Sequence, residues 1–142
     1  MKHNLAVLAV LVLAAVAVVP ASAQSTTLKA NIPFNFSAGW REMPAGDYNF
    51  GSWSSTIMLV WKADSDYAGY LVLRSTQAPA GTSREKSALI FHRVGDQYFL
   101  RQIVDGSRSS VRDIPMSPTE RELTESVDSA KAYETVVILA RL

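Results

Sequence analysis

The sequence predicts an all-β domain: a small antiparallel β-sandwich or partly open barrel of about seven strands, with one short helix near the C-terminus. Two observations carry this prediction. Apolar and polar residues alternate from residue 28 to residue 36, which is typical of a strand with one buried face. Two strand-like segments, residues 87–94 and 97–104, flank Gly95-Asp96, which favours a tight two-residue hairpin turn.

The first strand, residues 28–36, contains a proline. Because Pro33 has no backbone N–H to donate, we expect this strand at a sheet edge or with a bulge at that point. A turn follows, since Pro44 suits the first central position of a β-turn and Gly46 tolerates a positive φ. Tyr48 then begins the next strand.

The middle of the chain predicts strands at residues 56–62 and 67–74, then a loop at 77–86 and the hairpin. If the hairpin turn has two residues, three cross-strand pairs follow: Arg93 with Tyr98, His92 with Phe99, and Phe91 with Leu100. Alternation along the hairpin then separates Leu100 from Ile103 onto opposite faces.

The C-terminal part predicts a polar turn region at residues 105–113 and then a helix. Ser117 is a suitable N-cap, Pro118 suits the first helical position, and Glu120 completes a capping box. This helix is expected to extend to about residue 132. Residues 133–142, rich in β-branched side chains, predict a final strand.

Residues 1–23 have the pattern of a cleaved secretory signal peptide. Lys2 gives a short positive start, residues 5–19 are apolar, and Ala21-Ser22-Ala23 precedes a cleavage point before Gln24. The alternative is a membrane anchor, but fifteen apolar residues are fewer than the roughly 20 that span a bilayer. We therefore expect an exported protein, periplasmic or secreted, with a single β-rich domain at residues 24–142 and no membrane attachment after cleavage.

Composition excludes several functions. Without Lys2 the chain has 13 basic and 13 acidic residues, so we expect no nucleic-acid partner. It has no cysteine, which removes thiolate chemistry and cysteine metal sites. His92 is the sole histidine after residue 23, too few for a typical zinc site, so we expect no metal and no cofactor.

Candidate catalytic groups are few. His92 is the one possible imidazole base after residue 23, and no G-x-S-x-G sequence marks a nucleophile. Two carboxylate pairs have simpler interpretations: Asp64 and Asp66 as a solvated turn, and Glu120 and Glu122 as the acidic first turn of the helix. We expect a protein that is not an enzyme; a small hydrolase that uses His92 is the less favoured hypothesis.

The binding residues we select are His92, Arg93, Asp96 and Tyr98, at one end of the hairpin. They combine charge, imidazole and phenol in a short segment, which suits a polar contact surface; the alternative is that they shape the turn and pack across strands. A set of aromatic residues could form a sugar platform or line an apolar pocket, but packing in the core or in cross-strand pairs is favoured. These aromatic residues are Trp40, Trp53, Trp61, Tyr67, Tyr70 and Tyr98.

The function predicted from these features is a non-catalytic periplasmic or secreted binding or structural module. Its partner, a protein or a small molecule, is not specified by any motif. The alternative is a β-barrel-like carrier that encloses a small apolar ligand.

Four segments, residues 32–36, 43–48, 91–100 and 120–123, are together similar to a family of small exported proteins of unknown function that is frequent in Acidobacteria. The resemblance covers most of the chain after residue 23. It implies a signal peptide followed by one small β-rich domain, and it adds no catalytic residue or cofactor.

Overall fold

The computed structural model describes residues 27–66, 68–76, 86–127 and 133–142. These residues form eleven strands, one α-helix and one 3-10 turn. Their bounds in chain order are β1 Thr27–Ile32, β2 Phe36–Ala38, β3 Arg41–Met43, β4 Gly46–Ser52, β5 Ile57–Lys62, β6 Ala68–Val72, β7 Arg74–Thr76, β8 Ala88–Val94, β9 Gln97–Asp105, the 3-10 turn Gly106–Arg108, β10 Ser110–Asp113, α1 Pro118–Ser126 and β11 Glu134–Leu139.

The all-β class and the short helix near the C-terminus are confirmed, while the strand count exceeds the seven expected because several strands have only three or four residues. The predicted signal peptide and residues 77–85 of the predicted loop lie outside the described residues. No described helix has both the length and the apolar character needed to cross a membrane.

Two sheets form a sandwich. The first has the antiparallel order β1-β4-β5-β6, and the second has the order β11-β8-β9-β10-β7, with β2 parallel to β9 and β3 antiparallel to β2. The chain crosses from the first sheet to the second at buried Leu73, between β6 and β7. At the opposite side the backbones of Lys29 and Arg141 exchange hydrogen bonds of 2.7 and 2.8 Å. The sheets are thus connected at both sides without forming a closed barrel.

The core lies between the sheets and follows the alternation of the strands. Leu28, Phe50 and Val60 are successive partners across β1, β4 and β5, and all three are buried. The second sheet contributes Leu89 and Phe91 from β8, with Leu100 and Ile103 from β9. Alternate residues of each sheet therefore face outward, and their side chains form the two outer faces of the sandwich.

The hairpin has the predicted register, with Phe91 opposite Leu100, His92 opposite Phe99 and Arg93 opposite Tyr98. The expectation that Leu100 and Ile103 face opposite sides is wrong. A register shift between Ile90 and Phe91 inserts an extra residue into β9, so Leu100 and Ile103 both enter the core.

The predicted strand at residues 28–36 is instead two strands in two sheets. β1 ends at Ile32, immediately before Pro33, and β2 begins at Phe36 in the second sheet. Pro33 cannot continue the ladder, which explains the break. The expected edge position is confirmed, because β1 is the outer strand of the first sheet.

The turn and helix signals are confirmed in part. Gly46 has a φ of 151° and Gly95 a φ of 60°, as the two turns require. Ser117 caps α1 by accepting a 3.1 Å hydrogen bond from the Glu120 N–H. The helix ends earlier than expected, because Val127 is extended. The predicted polar turn region at 105–113 is wrong in its second half, where β10 pairs with β9 and β7.

Candidate functional site

The end of the β8–β9 hairpin brings together three of the four predicted binding residues. The Arg93 guanidinium lies 3.7 Å from the Asp96 carboxylate and 3.4 Å from the Glu134 carboxylate. Its Nε donates a 3.0 Å hydrogen bond to the Gly95 carbonyl, and its Cζ lies 5.6 Å from the centroid of the Tyr98 ring. Arg93 is therefore engaged in contacts that stabilise the hairpin and β11.

The Tyr98 ring is also used in packing. It stacks on Phe34, with ring centroids 3.9 Å apart and an angle of 15° between the planes. Phe34 in turn packs edge-on against buried Phe91 at 5.2 Å. One face of the Tyr98 ring is thus covered by the segment that links β1 to β2.

His92 lies on the other face of the second sheet, apart from these three residues. It is opposite Phe99, and its ring stacks on that of Tyr133 at 3.8 Å with an angle of 10° between the planes. The strand alternation explains the separation, since Arg93 and His92 are consecutive residues of β8. The structure therefore divides the predicted patch into a hairpin-end cluster and a separate histidine.

Beside His92 lies a buried ion pair between α1 and β9. Glu120 is 2% exposed, and its Oε2 lies 3.4 Å from Nη1 of Arg101. Glu120 lies in the first turn of α1, as expected, but it is not solvated, because α1 packs against the outer face of the second sheet and buries this carboxylate. No sequence pattern links Glu120 to Arg101, which lies at the β9 bulge, so sequence reasoning missed this pairing.

Burial shifts the pKa values of Glu120 and His92 in opposite directions. It raises the pKa of Glu120. The positive charge of Arg101 and a hydrogen bond from the Ser117 backbone to the Glu120 carboxylate oppose this shift. Burial also lowers the pKa of His92, and the positive charge of Arg101 lowers it further. His92 is therefore neutral at pH 7.

The contacts of a hydrolytic triad are not formed at His92. Its Nδ1 lies 3.8 Å from Oε1 of Glu120, beyond hydrogen-bond distance. In the described part of the chain, no hydroxyl group hydrogen-bonds to this imidazole. The same residues contain no group of three side chains that could hold a metal ion.

A second candidate surface lies on the outer face of the first sheet. Trp53 is 68% exposed and Tyr70 is 60% exposed, and their rings contact edge to face with centroids 6.1 Å apart. Tyr70 is the cross-strand partner of Leu59, and exposed Val72 is the partner of Ile57. With Trp61, these residues form what we call the aromatic face: Trp53, Ile57, Leu59, Trp61, Tyr70 and Val72.

Trp61 lies against the sheet at this face. A Cβ at Gly51 would be 3.1 Å from the Trp61 ring, so the ring covers the glycine backbone. Trp53 and Tyr70 are not core residues, although their rings pack on each other, and Trp40 is exposed in the β2–β3 turn. Tyr67 lies outside the described residues.

The aromatic face carries no formal charge along its segments of β5 and β6. Residues 57–61 and 68–72 include no charged side chain. A hydroxyl group lies at one end: Ser54, in the turn between β4 and β5 that carries Trp53, accepts a 3.1 Å hydrogen bond from the backbone N–H of Ile57. The surface is therefore apolar and aromatic with a polar rim.

Comparison of the chain with family models, with curated proteins and with solved structures finds no match.

Proposed function

We propose that this chain is exported and that residues 24–142 are a non-catalytic binding module that binds a neutral glycan chain on its aromatic face. The observation that carries the proposal is the adjacent, exposed pair Trp53 and Tyr70, beside segments of β5 and β6 that include no charged side chain. Single exposed apolar residues are ordinary, whereas a contiguous exposed group of them marks an interaction surface.

The chemistry of the face favours a glycan. Indole and phenol rings have electron-rich faces, and a sugar ring presents C–H groups of the opposite polarity. Strand segments without charged side chains do not attract an ionic partner, and the hydroxyl group of exposed Ser54 beside Trp53 can form a hydrogen bond that orients a polar ligand. Stacking on rings with a polar rim matches the alternating C–H and O–H surfaces of a sugar.

The packed interior and the contacts of His92 favour this proposal over a carrier of an apolar ligand and over a hydrolase that uses His92. A carrier needs space between its sheets, but side chains such as Tyr48, Phe50 and Phe91 fill that region and are almost completely buried. A hydrolase needs a base that reaches a nucleophile, but the His92 ring is stacked on Tyr133 and its nearest carboxylate oxygen is 3.8 Å away. Binding at the outer surface requires neither feature.

The test is retention of the protein on insoluble glycans. The full chain is expressed, the protein is purified from the exported fraction, and its intact mass reports whether it begins at Gln24. Binding to cellulose, chitin and cell-wall glycan is then compared for the native sequence, Trp53→Ala, Tyr70→Ala and the control Trp40→Ala. We expect at least one glycan to be bound, with a loss of about tenfold or more in affinity for Trp53→Ala and for Tyr70→Ala.

The control replaces Trp40, a tryptophan that is also exposed but lies outside the aromatic face. Trp40 contacts the Arg41 side chain at 5.2 Å and forms no ring pair with Trp53 or Tyr70, so its removal should leave binding unchanged. All three variants should unfold within about 1 kcal/mol of the native sequence, since these rings are exposed. Absence of binding to every glycan, or an equal loss in Trp40→Ala, would overturn the proposal.

A further inference from the structure

A groove crosses the outer face of the second sheet, on the far side of the domain core from the aromatic face. Its floor follows one row of the sheet, in which Ile90, Gln102, Asp113 and Arg74 are successive partners across β8, β9, β10 and β7. The groove has a volume of about 660 Å³, within the range of small-molecule sites.

The walls of the groove combine apolar and cationic side chains. Pro115 and Met116, which precede α1, form one side with Arg121 of the helix. Tyr133 and His92, stacked on each other, form another. A ligand with an apolar body would therefore contact ring and aliphatic surface while its polar group meets the arginines.

The charges of the groove are not balanced. Three arginines line it, and the one acid among its lining residues is Asp113; the buried Glu120 behind it is paired with Arg101 at 3.4 Å. Asp113 also accepts a 2.8 Å hydrogen bond from Gln102. Three guanidinium groups therefore face two carboxyl groups in and behind this groove.

Two of the arginines are available to a ligand. The side chains of Arg74 and Arg121 are exposed, and within the described residues neither forms an ion pair or a hydrogen bond. This contrasts with Arg93, Arg101 and Arg108, each of which lies within 4 Å of a carboxylate. A guanidinium presents parallel N–H donors that match a carboxylate or a phosphate group.

We propose that this groove is a second binding site, for a small organic anion, and that Arg74 and Arg121 bind its carboxylate or phosphate group. Tyr133 and Met116 contact the apolar part of the same ligand. The site is independent of glycan binding, because it lies on the other sheet and uses none of the residues of the aromatic face.

The test is titration of the mature domain, followed by NMR and calorimetry, with four probes: benzoate, phenyl phosphate, inorganic phosphate and uncharged benzamide. The first two share an aromatic body and differ in the anionic group, so they distinguish a carboxylate from a phosphate ligand. We expect at least one of them to bind with a Kd below about 1 mM and to shift the Tyr133 ring signals. Benzamide, which lacks the charge, should bind at least tenfold more weakly.

Variants separate this site from general charge attraction. Arg74→Ala and Arg121→Ala should each weaken binding at least fivefold, and raising the salt concentration should weaken it further. Arg108→Ala is the control: it removes the same charge from an exposed arginine that is paired with Asp105, outside the groove. The proposal is wrong if neither organic anion binds, if inorganic phosphate binds as tightly as both, or if Arg108→Ala weakens binding as much as the groove variants.

Discussion

Replacing Glu120 with leucine should strongly destabilise the domain. The substitution leaves Arg101 with no carboxylate partner at a position where its side chain is 18% exposed. Loss of one partner of a buried ion pair costs about 3–5 kcal/mol, and the residual contact of Arg101 with water reduces that cost. We expect the free energy of unfolding to fall by about 3 kcal/mol, which lowers the Tm by roughly 10 °C in a domain of this size.

The second half of the prediction concerns removal of both charges. Burying two charges is costly, so an apolar pair of similar size should be tolerated where a single unpaired charge is not. The double variant Glu120→Leu with Arg101→Met should therefore unfold within about 1 kcal/mol of the native sequence. The Glu120–Arg101 pair would then contribute little net stability, although removing only one of its two charges would strongly lower the free energy of unfolding.

Urea unfolding of the purified protein at pH 8 measures all of these values. The matched control is Glu122→Leu, the same substitution two residues further along α1 at an exposed position, which should change the free energy of unfolding by less than about 0.5 kcal/mol. A loss below about 1 kcal/mol for Glu120→Leu would refute the assignment of a buried, coupled pair. So would a double variant whose loss of unfolding free energy equals the sum of the losses in Glu120→Leu and in Arg101→Met measured singly.

Two further predictions concern the same region. Because burial and the charge of Arg101 lower the pKa of His92, the unfolded chain binds a proton at this residue more readily than the folded chain, and the contribution of His92 to stability should decline as the pH falls below about 6.5. Glu120, whose pKa is raised, acts in the opposite direction, so the urea midpoints of the native sequence are compared with those of His92→Gln from pH 8 to pH 5.5. Equal slopes of midpoint against pH for the two proteins would contradict the expectation. Ser117→Ala should reduce the free energy of unfolding by about 1 kcal/mol through loss of the cap, whereas Ser117→Asp, which keeps an acceptor, should recover most of that loss.

Local sequence patterns predicted the elements that depend on short-range physics. The hairpin register follows from the two-residue turn at Gly95-Asp96, and the start of α1 follows from the Ser117-Pro118 pair. Both signals lie within a few residues of the structure that they specify. Pro33 was recognised as a disruption, but the chain's move to the other sheet depends on distant partners of β2, which alternation does not encode.

The candidate sites were less predictable because they depend on which strands become neighbours. Arg74, Arg101 and Arg121 are far apart in sequence and share a groove because β7, β9 and α1 meet on one outer face. The β9 bulge contributes as well, since it changes which residues beyond Leu100 enter the core. The aromatic composition likewise includes Trp53 and Tyr70 but does not predict the face on which they lie.

The two proposed sites can be separated experimentally because they lie on the outer faces of different sheets, on opposite sides of the core. Tyr70 and its inward neighbour Leu71 belong to the same strand, yet Tyr70 is exposed and Leu71 is buried. Changes on the outer positions should therefore affect binding without altering the core that supports both sheets. Tyr70→Ala should weaken glycan binding and leave anion binding intact, and Arg121→Ala should do the reverse. If either variant weakened both, the two faces would be energetically coupled through the core, since no residue of the aromatic face lines the groove.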